Sequence, residues 1–188
     1  MQLPQNIWND ANLIKVLQND GVAVMPTDTL YGIVGKVQNE DVVNRIYSIR
    51  KRNPDKPCII LIGDSKELEK FSITLSEEQK KVIKNFSVPT SFILDCSDEK
   101  FTYLHHDTKT LAFRIPTSSE LRDLLIKTGP LIAPSANLEA LHPSENILEA
   151  KKYFGDSVDL YVDGGIIKSK ASKIIKLHKD GTMTKIRY

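Results

Sequence analysis

Three short segments gather side chains able to hold a small charged molecule. The first, Pro26-Thr27-Asp28-Thr29-Leu30-Tyr31-Gly32, sets two hydroxyls and a carboxylate between a proline and a glycine, directly after the apolar run 22–25. Such a stretch either satisfies its own backbone as a turn or presents donors and acceptors to a ligand. The second is the basic cluster Arg50, Lys51, Arg52 and Lys56. Cations at a helix end complement the dipole without any further role. Arg50, however, lies seven residues after Val43 and four after Ile46, so it shares their inward helix face. An inward guanidinium needs an anion, and its planar five-donor fork suits phosphate or carboxylate. The third segment, Pro134-Ser135-Ala136-Asn137, follows the apolar run 131–133, with Ser144 expected to cap a later helix. Arg114, before Ile115-Pro116, adds a cation at a strand end.

No glycine-rich phosphate loop, zinc-ligand spacing or Ser-His-Asp order accompanies these segments. Of the four histidines, His105 and His106 read as a polar loop, His142 as a turn and His178 as a hairpin flank, all solvated. The chemistry on offer is therefore anion binding by guanidinium and hydroxyl groups, not nucleophilic or metal catalysis.

The elements that must position these groups follow from periodicity. Helices are expected over 10–20 and 39–50, after capping boxes at Ser76-x-x-Gln79 and Thr117-x-x-Glu120, and over 144–154. Strands are expected over 22–25, 58–62, 91–94, 110–114, 131–133 and 160–162, with a terminal hairpin, 173–178 and 182–187, turned at Asp180-Gly181. Alternating short strands and helices argue an α/β fold, a twisted open mixed sheet flanked by helices. With 188 residues, 40% apolar and 27% charged, a single domain over 1–188 is expected. A net charge of +2 is too small for a chain that coats nucleic acid or an anionic membrane, so anion specificity must be local. The longest apolar run, Cys58 to Ile62, is far short of a membrane span, no signal-peptide pattern opens the chain, and two cysteines suit a reducing compartment. A cytoplasmic protein is the expectation.

Taken in order, Pro26 to Gly32, Arg50-x-Arg52 with Lys56-Pro57, Arg114-Ile115-Pro116, Gly129-Pro130, Ser135-Ala136-Asn137, Asp163-Gly164-Gly165 and Ser172 resemble the motifs of the YrdC/TsaC family, the threonylcarbamoyl-AMP synthases. The resemblance runs from about residue 10 to the C-terminus. It implies a YrdC-like fold around a positively lined cavity. It also implies synthesis of threonylcarbamoyl-adenylate and pyrophosphate from L-threonine, bicarbonate and ATP, with Mg²⁺ accompanying ATP and no dedicated protein ligands for it. Partner proteins would then pass the threonylcarbamoyl group to tRNA. Carried over by position, Arg50, Arg52 and Lys56 resemble the catalytic cations, and Thr27, Arg114 and Ser172 the threonine contacts. Thr110, Ser135, Asn137, Ser144 and Arg187 resemble the groups around the nucleotide.

The sequence departs from the family pattern at four places. Arg50 replaces a lysine, Ser87-Val88-Pro89 a Pro-Gly-Pro, Glu139-Ala140 a Ser-Gly, and Lys173 a threonine. The resemblance implies a reaction in which the threonine amine forms a carbamate whose oxygen attacks the α-phosphorus. The cations would act by alignment and electrostatic stabilisation. A different class, a module binding double-stranded RNA or tRNA through the same basic cavity, is opposed by the low net charge and by the lack of interleaved aromatic residues. Weak RNA contact and no membrane association complete the expected partners.

Overall fold

The computed structural model describes residues 7–53 and 58–187. Helices α1 (Ala11–Gln18), α2 (Glu40–Arg50), α3 (Glu77–Lys84), α4 (Thr102–His105), α5 (Ser119–Thr128) and α6 (Ile147–Phe154) alternate with strands β1 (Ala23–Pro26), β2 (Tyr31–Lys36), β3 (Ile59–Leu61), β4 (Thr90–Asp95), β5 (Thr110–Arg114), β6 (Leu131–Ile132), β7 (Leu160–Tyr161), β8 (Lys173–Leu177) and β9 (Met183–Arg187). Among the described residues the strands form one sheet in the order β7-β1-β2-β6-β3-β5-β4-β8-β9. It is mixed: β3 runs parallel to β5, β4 to β8 and β7 to β1, and the remaining neighbours are antiparallel.

The central strands β1, β2, β3 and β6 are buried on both faces, because their side chains alternate between two apolar layers, whereas the edge strand β9 is exposed. Val24, Ile60 and Ile132 point to one layer, built with Val42, Val43 and Ile46 of α2 and Ala150 and Phe154 of α6. Ala23, Met25, Leu61 and Leu131 point to the other, where Leu13 and Leu17 of α1 meet Leu121, Leu124 and Leu125 of α5. Each fully buried leucine in that second layer contributes about 1.5–3 kcal/mol.

Most expected elements form within a residue or two of their sequence signals. Asp10 and Asn39 cap α1 and α2, and Ser76 with Gln79 makes the reciprocal capping box of α3. Four readings are corrected. Residues 31–36, absent from the expected strands, form β2, because residues 27–30 make a four-residue turn that returns the chain onto β1 with Pro26 opposite Tyr31. Helix α5 is capped by Ser118, whose side chain accepts from Leu121 N, since the Thr117 N–H is turned toward Asp28. Helix α6 is capped by Asn146, not by Ser144, whose hydroxyl donates to the Ala136 carbonyl. His105 is also not solvated: it ends α4 only 2% exposed, because that turn folds Phe101 and Leu104 into the core.

Candidate active site

One end of the hairpin β1–β2, the C-terminal ends of α2 and β5, and the loop after β6 converge on a cavity of about 230 Å³. Its wall includes Thr27, Arg50, Arg52, Arg114, Ser135, Ser172 and Arg187, so seven of the residues singled out in the sequence come together. Four of the seven are arginines, and the wall contains no carboxylate among the described residues.

Each group is held by local structure. Thr27 opens the hairpin turn: its N–H and Oγ1 both reach the Leu30 carbonyl (2.9 and 2.7 Å), and Oγ1 accepts from the N–H of Thr29 and Leu30. The turn reading is thus correct for Thr27, yet the same oxygen accepts from Arg114 Nη2 at 3.4 Å. Gly32 lies behind it. A Cβ there would stand 3.1 Å from Thr27 Cγ2, so glycine lets the turn approach the loop after β6, where Gly32 bridges to Ser135. The motif Asp163-Gly164-Gly165 clamps the other side of the turn. Tyr31 Oη accepts from Gly164 N and donates to the Gly165 carbonyl, both at 2.8 Å.

Arg50 is the last residue of α2, 2% exposed, as its inward register required. Its Nε donates to the Asn137 carbonyl (3.0 Å) and its Nη2 to Asn137 Oδ1 (3.2 Å), while Nη1 is buried with no hydrogen-bond partner. Asn137 Oδ1 also accepts from Ser135 Oγ (2.6 Å), and its Nδ2 donates to the carbonyls of Leu138 and Leu141. Every polar group of the Asn137 side chain therefore serves the protein, and the residue is absent from the cavity wall.

Arg114, 4% exposed, ends β5 with Nη2 3.0 Å from Asp28 Oδ1. The contact is an ion pair by distance, but its angle lies outside hydrogen-bond geometry, so Asp28 Oδ1 and Arg114 Nε both lack a hydrogen bond. Burial pushes the Arg114 guanidinium below its usual value, Asp28 opposes that, and the nearby Arg187 adds to it. Burial likewise lowers Arg50, with Arg52 contributing. These paired effects describe two sets of neighbouring cations that stay protonated, as guanidinium does in proteins, in a site short of negative charge. Two of the buried guanidiniums keep unsatisfied N–H groups, the arrangement that an anionic ligand completes.

Ser172 is buried with its Oγ 2.9 Å from Ser91 Oγ, and its carbonyl accepts from Arg187 Nε and Nη2 (3.1 and 2.8 Å). The register Ile174 opposite Arg187 in the β8–β9 hairpin brings that late arginine back to the cavity. Besides Asn137, the structure leaves two more of the expected residues away from the wall. Ser144 is fully turned onto Ala136, and Thr110, at the opposite end of β5 from Arg114, has its hydroxyl bonded to Thr108. Lys56 lies outside the described residues.

Sequence reading missed two groups. Asp28 carries the counter-charge to Arg114, a role its place between two threonines did not reveal. Cys58, taken as core, lines the cavity beside Tyr47 and Arg52, and burial pushes its thiol up. Its position at the foot of β3, just after the basic cluster, was the signal available.

The departures have structural consequences. Glu139 accepts from Asn53 N at 2.6 Å and its own N–H donates to the Arg50 carbonyl, tying the loop after Asn137 to the end of α2. Ala140 adopts φ +67°, a left-handed conformation that favours glycine.

The Sua5/YciO/YrdC family, whose model carries the description "Telomere recombination", matches residues 15–188. A Methanocaldococcus jannaschii protein with a provisional threonylcarbamoyl-AMP synthase name is 33% identical over 170 residues, 89% of this chain and 80% of that protein. The Bacillus subtilis threonylcarbamoyl-AMP synthase is 31% identical over 140 residues, covering 73% of this chain and 40% of the longer relative. Escherichia coli YciO superimposes with a TM-score of 0.81 at 25% identity over 98% of this chain and 89% of its own. Pyrococcus abyssi Sua5 complexed with L-threonine superimposes with a TM-score of 0.82 at 25% identity over 91% of this chain and 51% of its own. The chain therefore spans about half the length of that Sua5. With the sheet, the ordered motifs and the family match running over the same residues, the chain belongs to the Sua5/YciO/YrdC family.

Proposed function

We propose that the chain is an L-threonylcarbamoyladenylate synthase, a nucleotidyltransferase that makes threonylcarbamoyl-AMP and pyrophosphate from L-threonine, bicarbonate and ATP for tRNA threonylcarbamoyladenosine modification. The observation that carries this reading is the cavity walled by four arginines together with Thr27, Thr29, Ser135 and Ser172, with no carboxylate among the described lining residues. Relatives named threonylcarbamoyl-AMP synthase in bacteria support it, as does the threonine-bound Sua5 relative.

The threonine amine adds to the carbon of carbon dioxide with release of a proton, or to that of bicarbonate with loss of water, and the resulting carbamate oxygen attacks the α-phosphorus as the bond to pyrophosphate breaks and pyrophosphate leaves. Arg114 and Thr27 hold the amino acid, the guanidinium meeting its carboxylate. Arg50, Arg52 and Arg187 face the polyphosphate, where charge accumulates on the departing oxygens. Lys56 joins them in this proposal. Ser135 and Ser172 orient the substrates, whereas Asn137 and Ser144 act from behind by fixing Arg50 and the 135–137 loop. Mg²⁺ enters with ATP as part of the substrate. The donors in the described wall are guanidiniums and hydroxyls, and the carboxylate of Asp28 behind them is engaged by Arg114, so in this proposal the metal's ligands are the phosphates. The cavity keeps the carbamate away from bulk water. Proteins that carry the threonylcarbamoyl group to tRNA are the partners this reading requires.

A module gripping an RNA backbone fits less well, because Arg50 and Arg114 are 2% and 4% exposed and open only to the cavity, out of reach of a duplex phosphate ridge. Among the described residues no helix is long and apolar enough to cross a membrane. Incubation with labelled bicarbonate, L-threonine and ATP tests the proposal. An acid-labile labelled adenylate and stoichiometric pyrophosphate are expected. RNA retention without adenylate would replace this reading with the binding module.

A further inference from the structure

A second cavity, about 470 Å³ and so roughly twice the first, lies where α3 and the segment following it cover the end of β4 and the stretch after β5. Its volume is that of a small-molecule site. Ile83, Phe86, Phe92 and Ile115 form an apolar lining, with Phe86 and Phe92 packed edge to face at 5.2 Å between centroids. Val88 stands at the mouth, 43% exposed. It occupies the middle of Ser87-Val88-Pro89, where the resemblance leads one to expect glycine, so this chain adds apolar surface there.

The charges around this lining are one-sided. Lys80, Lys84 and Arg122 contribute to the wall, and among the described residues no Asp or Glu does. Lys80 shares its charge with Glu77 at 2.8 Å. Lys84 has no ion-pair partner among the described residues, and Arg122 donates through Nη1 to a neutral acceptor, the Pro116 carbonyl, at 3.1 Å. Of the carboxylates beside Arg122 in the chain, Asp123 is exposed and absent from the wall, and Glu120, bonded to the hydroxyls of Ser118 and Ser119, feels the Arg122 charge as the smallest of the influences on it. An apolar chamber rimmed by cations selects a molecule with an apolar body and an anionic head.

The cavity is separate from the catalytic one. Along β4, Thr90 and Phe92 face the second cavity, while Ser91 points to the other side and meets Ser172. Arg114 lines the first cavity, and the residues directly after it, Ile115 to Thr117, line the second.

We propose that this second cavity binds an amphipathic organic anion, an apolar chain or ring of roughly six to ten carbons bearing a carboxylate or phosphate. The test is calorimetric titration of the full chain with octyl phosphate, using 1-octanol as the neutral comparator, with and without saturating ATP. Saturable one-to-one binding is expected, unchanged by ATP, with 1-octanol at least tenfold weaker. Lys84→Glu should weaken octyl phosphate at least tenfold, and Val88→Trp, which fills the mouth from an exposed position, should abolish it. Both variants should release pyrophosphate at the parent rate, since neither residue lines the catalytic cavity. Displacement by ATP would assign the binding to the catalytic site and overturn the proposal, as would equal affinity for the alcohol or indifference to both substitutions. Much tighter binding of an acidic, apolar peptide that octyl phosphate displaces would also overturn it, in favour of a protein partner at this groove.

Discussion

Arg50 grips Asn137 twice, once through the backbone carbonyl and once through the side-chain oxygen, across 87 residues of chain. The pairing joins the end of α2 to the loop after β6 and leaves one guanidinium nitrogen, Nη1, buried and unbonded. It divides the labour between two residues that the family resemblance places together at the site. Arg50 supplies the charge, and Asn137 fixes where that charge sits.

This division makes Arg50→Lys informative. Lysine keeps the charge, but its single ammonium cannot reproduce the planar fork on Asn137. A loss of about tenfold in kcat/KM for pyrophosphate release is expected, against about a hundredfold or more for Arg50→Ala, which removes roughly 3 kcal/mol of transition-state stabilisation. Asn137→Ala should cost about 1–3 kcal/mol of stability, because Ser135 Oγ and Arg50 Nη2 lose their shared acceptor. Near-parent turnover for both Arg50 variants would place the residue outside the chemistry.

The buried pair Arg114–Asp28 predicts a different signature. Asp28→Asn leaves a buried guanidinium without its counter-charge, a change that typically costs about 3–5 kcal/mol. Denaturant unfolding should show that loss, and kinetics should show a larger rise in the KM for threonine than for ATP. Asp28→Asn combined with Arg114→Gln should be less destabilised than the sum of the single changes. Additive losses would mean that the two side chains do not act as a pair.

Ala140 offers a stabilising substitution. A non-glycine residue at φ +67° carries left-handed strain of about 1–2 kcal/mol, partly offset by the greater chain entropy glycine loses on folding. Ala140→Gly should therefore raise stability by about 0.5–1 kcal/mol, read as a higher denaturation midpoint at unchanged slope. A lower midpoint would show that the loop gains more from the methyl group than it loses in strain.

Asp98 sets an acid limit on stability. The Lys100 ammonium and the Ser72 hydroxyl, with the Lys100 N–H, hold its carboxyl down to about 2. A depressed folded-state value means that the stabilisation is complete above the ordinary aspartate range near ~3.9, and is lost as pH falls from there through about 2. Asp98→Asn should melt below the parent at pH 6, with the gap closing between about pH 4 and pH 2. A gap that persists unchanged to pH 1.5 would exclude the carboxylate as its cause.

Local signals were strong where the physics is local. The caps Asp10, Asn39 and Ser76, the period that turns Arg50 inward, and the Asp180-Gly181 hairpin all depend on neighbours within a turn or two, so residue types alone revealed them. The mixed sheet followed from the alternation of elements. Strand β2 escaped because Tyr31 to Lys36 carries two glycines and reads as loop; its strand conformation comes from pairing with β1 and β6. Ser144 escaped for a related reason. Its hydroxyl has a choice of backbone acceptors, and the approach of Ala136 decides between them.

The sequence by itself determined which side chains could carry the chemistry, because guanidinium geometry and hydroxyl donors are properties of residue type. It also determined that Arg50 faces inward, since helix period is a property of spacing. Only the tertiary structure decided that Asp28 pairs with Arg114, that Asn137 holds Arg50 from outside the cavity wall, that Thr110 stands at the far end of β5, and that Cys58 looks into the cavity. These are contacts between segments far apart in the chain, selected by strand order and register. A side chain's partners there depend on which backbone arrives opposite it, and that is settled only when both apolar layers close on the sheet.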